Sequence, residues 1–135
     1  MTRISAKWSV VFIGVIAIIS LSFAAYAAGD SGKEISTAAQ HAGLAAKATT
    51  IDMVHTHLQH VVNCLVGAKG TGFDAKAANP CGKLGDGAIP DASDAHMKET
   101  LGDAVKIANM GLASNDLATA QKSAMDVEAA LKKAS

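Results

Sequence analysis

Histidine is the residue type in this sequence with the clearest capacity for chemistry, and three histidines follow one another closely, at His55, His57 and His60. On an α-helix, where each residue turns the chain by about 100°, His57 and His60 share one stripe with Met53, and His55 points elsewhere. Neutral imidazole is a ligand of copper, zinc, nickel and haem iron. The spacing therefore predicts that His57 and His60 together bind a transition metal ion or a haem.

Three more residues are candidates to complete this metal site. His41 stands as far before the expected turn between the first two helices as His57 stands after it, so the two residues are level in a helical hairpin. The next helix is expected to begin beside the end of this hairpin, which puts His96 at about the height of His60. Met53 is a soft sulfur ligand on the same stripe. In the alternative interpretation these histidines are solvated side chains beside an ordinary core, and Met53 packs in that core.

The sequence contains two cysteines, Cys64 and Cys81. If the chain is exported, as its N-terminal segment described below indicates, the two cysteines predict a disulfide, because the periplasm and the cell exterior are oxidising. Closing a loop of about 17 residues in this way contributes roughly 3 kcal/mol in the chain-entropy model. Ligation of a metal ion by the two thiolates is the alternative, although their spacing matches no zinc template.

The N-terminal segment has the pattern of a secretory signal peptide. Two basic residues precede a long apolar stretch, and small residues stand at the two positions that signal peptidase recognises: Arg3, Lys7, Ala25 and Ala27. We expect cleavage of residues 1–27, which leaves a single domain at 28–135 in the periplasm or outside the cell. Because the apolar stretch is shorter than the roughly 20 residues of a membrane span, an uncleaved anchor is the second interpretation.

Charge and composition argue against several function classes. The whole chain is neutral, so loss of Arg3 and Lys7 leaves a slightly acidic protein with no electrostatic basis for binding nucleic acid or an anionic membrane. Phe73 is then the only Phe, Tyr or Trp, so stacking platforms for bases or sugars are not expected. Alanine is abundant and strand-forming residues are sparse, which predicts an all-α fold with an aliphatic core.

Hydrophobic spacing predicts four helices separated by turn signals. They are expected at 33–48, at 51–66, from Pro90-Asp91 to a break at Ser114-Asn115-Asp116, and at 117–133. Glycines and two prolines are concentrated at 67–90, which predicts a long loop between the second and third helices. The disulfide would tie this loop to the second helix, with Phe73 packed beneath it.

The first pair of helices aligns with the second pair when the sequence is compared with itself, so that Ile35 falls on Leu101 and Leu65 on Leu131. Buried positions and the break between helices coincide, which predicts an up-down-up-down four-helix bundle made of two helical hairpins. The histidines of the second helix do not repeat, and the corresponding residues are Gln121, Ser123 and Asp126. The scaffold therefore does not require histidine there, and this asymmetry favours a binding role.

The sequence contains no motif typical of catalysis. It has no nucleophile elbow, no HExxH zinc motif, no glycine-rich phosphate loop and no CxxCH motif for covalent haem attachment. We therefore expect neither enzymatic activity nor a c-type haem.

The second pair of helices resembles the second hairpin of the periplasmic soluble cytochrome b four-helix bundles, through residues 97–111 (MKETLGDAVKIANMG) and 118–122 (ATAQK). That family holds haem noncovalently between a methionine of its first helix and a histidine of its last. Neither ligand has a counterpart in this sequence, so the resemblance implies the fold rather than the haem site. The histidine-rich second helix is also similar to small periplasmic metal-binding helical proteins.

Two functions are consistent with these observations. In the first, an exported four-helix bundle binds a copper, nickel or zinc ion, or haem b, through histidines. In the second, the protein has no cofactor and is a structural or interaction protein of the cell envelope, in which a helical face or the loop near Phe73 or Asp86 docks on a protein partner. A homodimer is left open in both cases.

Overall fold

The structure is a computed structural model that describes residues 29–135. These residues form no strand and five helices: α1 (Ser31–Lys47), α2 (Ile51–Val66), α3 (Ala88–Asp91), α4 (Ala95–Ala113) and α5 (Leu117–Ala134). The all-α prediction is confirmed for this part of the chain. The predicted signal peptide at 1–27 lies outside the described residues. No helix within 29–135 combines the length and apolarity needed to cross a membrane.

Each long helix begins at a side chain that caps its first turn. An oxygen of Asp30, Thr50, Asp94 or Asp116 accepts a hydrogen bond from the backbone N–H three residues later. Such N-caps satisfy a backbone donor that has no partner within the helix, and each stabilises by about 1 kcal/mol. Gly67 ends α2 with a φ of 69°, a conformation that favours glycine. The predicted bounds of α2 are therefore confirmed at both ends.

The predicted start of the third helix is wrong. Pro90 and Asp91 belong to α3, which is a separate element of one turn. Ala92 has an extended backbone with a ψ of 137°, so α3 does not continue, and Asp94 then caps a new helix. The other three predicted helices differ from α1, α2 and α5 by two residues or fewer at each end.

An aliphatic core lies between the four long helices. Helix α1 packs against α2 and α5, and α4 packs against the same two helices from the other side of the core. Leucines and valines of α2, α4 and α5 fill the centre, whereas α1 contributes mainly alanines. Burying one such leucine or valine stabilises by about 1.5–3 kcal/mol. The largest fully buried apolar side chains are Leu58, Leu65, Leu101, Leu131, Val54, Val61, Val62 and Val127.

The long loop between α2 and α3 is attached to α2 at two neighbouring residues. Cys64 forms the predicted disulfide with Cys81, with 5.1 Å between their Cα atoms. The buried amide of Asn63 donates to the carbonyl oxygens of Asp74 and Ala78 and accepts from the N–H of Asp74. Because these hydrogen bonds satisfy the amide, Asn63 can fix the path of the loop from inside the protein. The predicted connection between loop and helix is confirmed.

A buried carboxyl group joins α1 to the end of this loop. Glu34 is fully buried, and its Oε1 accepts a hydrogen bond of 3.0 Å from the backbone N–H of Gly87. Its Oε2 has no hydrogen-bond partner among the described residues. Burial raises the pKa of Glu34 to about 7; the Gly87 hydrogen bond opposes this shift, and the nearby carboxylate of Asp91 adds to it. At mildly acidic pH the Glu34 side chain is therefore neutral.

The substitution Glu34→Gln tests this buried proton. The folded carboxyl keeps its proton up to a pH of about 7, whereas the unfolded chain loses it near the ordinary glutamate pKa. Wild-type stability therefore falls as the pH rises between these two values. We expect the variant to exceed the wild type by about 1–3 kcal/mol in unfolding free energy at about pH 8, and by little at about pH 4. Urea unfolding followed by circular dichroism measures the difference.

Glu99→Gln is the matched control, because Glu99 is exposed on α4. An equal gain for Glu34→Gln at both pH values, or the same pH-dependent gain in the control, contradicts the assignment of the proton to Glu34.

The double substitution Cys64→Ala and Cys81→Ala tests how much the loop depends on the disulfide. We expect the unfolding free energy to fall by about 3 kcal/mol, because the unfolded chain gains the freedom that the closed loop denies it. Wild-type protein measured after chemical reduction should show a similar loss. A loss below about 1 kcal/mol in both samples would mean that Asn63 and the core hold the loop without the disulfide.

Candidate metal centre

Three histidine side chains meet where α1 lies beside α2. His41 comes from α1, and His57 and His60 come from α2. The Nδ1 atom of His41 lies 3.2 Å from Nδ1 of His57 and 3.4 Å from Nδ1 of His60. One ring nitrogen of each residue lies within 4.8 Å of the other two. We call these three residues the histidine cluster.

The local sequence explains why the cluster forms. Only residues 48–50 separate α1 from α2, so the two helices run side by side and His41 lies next to His57. His57 and His60 are three positions apart on α2 and therefore share one face. Ala38 and Ala45 lie one turn to either side of His41 and are fully buried, which leaves room for an imidazole between the helices.

The ring of His60 packs edge to face against the other two rings, and the rings of His41 and His57 are tilted by 37° to each other. The three centroids are 4.9 to 5.6 Å apart, and the ring of His60 stands at 90° to that of His41 and at 80° to that of His57. Each side chain is partly buried. Although two of the ring pairs are edge to face, one nitrogen of each ring still lies within 4.8 Å of the other two.

The rings cannot satisfy their facing nitrogens by hydrogen bonding alone. A neutral imidazole nitrogen carries either a proton or a lone pair, so Nδ1 of His41 can form a well-aligned hydrogen bond with only one of its two neighbours. The other contact stays poorly satisfied whichever tautomers are chosen. A metal ion among the rings would instead accept a lone pair from all three residues.

The surroundings favour the uncharged form of two cluster residues. Burial lowers the pKa of His41, and the charges of His60 and His57 lower it further. Burial also lowers the pKa of His60, with a further contribution from the charge of His57. Neutral rings have lone pairs available for a metal. Because the folded state disfavours these protons, acidification below the ordinary histidine pKa shifts the equilibrium towards the unfolded chain.

The other predicted ligands lie outside this cluster. His96 is exposed near the start of α4, where it lines a shallow depression with Lys133 of α5. Met53 is half exposed on α2, one turn before His57. His55, expected to point away, has its Nε2 2.9 Å from the carbonyl oxygen of Ser114 and so links α2 to the end of α4.

Comparison with known proteins gives no match for this chain, whether with protein-family models, with curated proteins or with solved structures. The resemblance of the second hairpin to the periplasmic cytochrome b bundles therefore stays an expectation. The function has to be argued from the geometry and chemistry of the histidine cluster itself.

A nuclear magnetic resonance titration of the metal-free protein tests the electrostatics of the cluster. We expect His41 and His60 to titrate below the usual histidine pKa of about 6.5. In the variant His57→Gln, which removes one neighbouring charge, both pKa values should rise towards the usual one.

His96→Gln is the control for this titration, since His96 is not part of the cluster and its loss should leave both pKa values unchanged. The interpretation is wrong if His57→Gln leaves the titrations of His41 and His60 where they are in the wild type.

Proposed function

We propose that this protein is an exported helical-bundle protein that binds one transition metal ion through His41, His57 and His60. The observation that carries the proposal is the convergence of one ring nitrogen from each of the three residues within 4.8 Å. Two helices contribute to the cluster, as is usual for metal sites built between the helices of a bundle. The lowered pKa values of His41 and His60 support it, because a metal binds the neutral ring.

The second hairpin offers an internal comparison that supports a specific role for the histidines. At the positions that correspond to His57 and His60 it carries Ser123 and Asp126. Ser123 is buried and Asp126 forms an exposed ion pair with Lys122, so a similar helix packs there without imidazoles. The two rings that α2 contributes are therefore not a requirement of helix packing.

The scaffold in this proposal is an up-down-up-down bundle of two hairpins. Short connections support it, because residues 48–50 join α1 to α2 and residues 114–116 join α4 to α5. Within each pair, the two connected helices pack against each other. In such a bundle α1 and α2 would form a rigid frame that sets the distances within the cluster.

Export to the periplasm or the cell exterior is part of the same proposal. The disulfide between Cys64 and Cys81 fits an oxidising compartment, and the pattern at residues 1–27 fits a signal peptide. We infer a binding role rather than an enzymatic one, because the cluster supplies metal ligands and the sequence carries no motif of a known reaction.

Copper, nickel and zinc are the candidate ions, and haem is less well supported. The macrocycle of a haem with two histidine ligands lies between the ligating nitrogens. The contact of 3.2 Å between His41 and His57 leaves no space for such a group. A single ion with imidazole ligands fits the cluster better.

Equilibrium dialysis of the untagged protein against Cu(II), Ni(II) and Zn(II), each separately, tests metal binding. We expect one ion per chain, and an affinity at least about 100-fold lower in the variant His57→Ala/His60→Ala, because two of three ligands are lost. The matched control His55→Ala/His96→Ala removes two histidines outside the cluster and should keep the affinity.

Circular dichroism establishes that both double variants are folded before their affinities are compared. Equally weak metal binding by the wild type and by the cluster variant would contradict the proposal. A loss of affinity in the control as large as that in the cluster variant would also contradict it.

A docking role in the cell envelope is the second candidate function, and one observation favours it. A depression of about 550 Å³ is lined by apolar Val66, Ile89 and Pro90 together with the charged residues Asp86, Lys69 and Lys98. A partner with an apolar group next to an acidic one would complement this surface. In that case the variant His57→Ala/His60→Ala would still bind the partner, and a variant with an acidic residue at Lys98 would not.

A further inference from the structure

We propose that the metal ion keeps one exchangeable coordination position on its solvent side, where a small Lewis base such as water, hydroxide or a small anion binds. This inference rests on the proposed metal binding and adds a ligand class to it. The centre would then be an open one, with three protein ligands and one external ligand, rather than a closed structural one.

The spacing of the nitrogens is the first argument. When a metal binds nitrogen at 2.0–2.1 Å in tetrahedral geometry, two ligand atoms are about 3.3–3.4 Å apart, whereas neighbouring corners of a square plane are about 2.9 Å apart. The observed separations are 3.2 Å from His41 to His57 and 3.4 Å from His41 to His60. Both separations measured from His41 match the edge of a tetrahedron, the geometry typical of zinc, and three histidine ligands leave its fourth corner open.

The inner side of the cluster offers no donor for that fourth corner. Towards the core, the helical neighbours of His41 are Ala38 and Ala45, and those of His57 are Val54 and Val61. All four side chains are fully buried and aliphatic. A fourth ligand therefore has to approach from the solvent side.

The polar side chains nearest to His60 along α2 are already engaged. The amide of Asn63 is bonded to the loop, and Cys64 is in the disulfide. The hydroxyl of Thr56 donates to the carbonyl oxygen of Asp52. Between residues 29 and 135, no cysteine, aspartate or glutamate joins the three histidines in a group with metal-binding distances.

The solvent side is accessible, and the thioether of Met53 there is a candidate to compete with an external ligand. The cluster residues are only partly buried, and Leu44 and Met53, one turn from His41 and His57 towards the connection between the helices, are each 50% exposed. Leu44 has no donor atom. The thioether of Met53 does, so the experiment has to separate it from an external ligand.

Cobalt(II) is the probe, because its visible absorption reports the number and type of its ligands and it replaces zinc in such sites. The untagged protein is loaded with one equivalent of Co(II) and titrated with azide. We expect intense bands typical of four-coordinate Co(II), which shift and saturate as one azide replaces one bound water. No bond other than the metal–ligand bond is made or broken, and no electron is transferred.

The variant Met53→Leu separates the two candidates for the fourth ligand. If the position is external, the variant shows the wild-type Co(II) spectrum and the same response to azide. His57→Ala/His60→Ala should show neither the bands nor the response, which establishes that azide acts at the cluster.

Each result decides between the proposals. A four-coordinate spectrum that ignores azide, or one that Met53→Leu abolishes, overturns the exchangeable position and leaves metal binding intact. Absence of any Co(II) spectrum, together with failure of Zn(II) to bind in dialysis, overturns both.

Discussion

The small size of alanine on α1 is the constraint on which the rest of the structure depends. Helices that pack through large side chains lie about 10 Å apart, and those that pack through alanine lie closer. Ala38, Ala42 and Ala45 are fully buried against the leucines and valines of the other helices. This close approach lets an imidazole of α1 reach two imidazoles of α2. A larger residue at Ala38 or Ala45 would separate the rings as well as disturb the core.

Buried polar groups hold the loop between α2 and α3 in place. Asn63 and Cys64 attach the loop to α2, and Glu34 attaches the end of the loop to α1 through Gly87. The amide of Asn63 is satisfied by its hydrogen bonds, whereas one oxygen of Glu34 has no hydrogen-bond partner within residues 29–135. These attachments compensate for the scarcity of aromatic side chains, since a small aliphatic core alone leaves a long glycine-rich loop poorly anchored.

Much of the fold was predictable because it is encoded locally. The bounds of α2 follow from Thr50 and Gly67, whose capping roles are visible in the sequence. The start of α4 was not predictable in the same way. Pro90 and Asp94 are both good start signals, and only the extended backbone of Ala92 makes them the starts of two different helices.

The cluster was predictable as far as helical geometry reaches. Two features of the sequence identify the three residues that meet. One is the spacing of His57 and His60, and the other is the equal distance of His41 and His57 from the connection between the helices. The position of His96 depends on the path of a loop of more than twenty residues and on α3, which local patterns do not encode. Glu34 lies on the same helical face as Ala38 and Ala45, but only the fold shows that the face is closed over it by Gly87.

Because the cluster residues come from two helices, a bound metal ion would affect how stable the protein is and how fast it is degraded. An ion held by His41 on one side and by His57 and His60 on the other would act as a cross-link between the arms of the hairpin, and a ligand that binds only the folded chain stabilises it by mass action. Chains without metal would then open and be degraded more often than loaded ones. The amount of this protein in its compartment would thus track the local supply of metal, without any change in its synthesis.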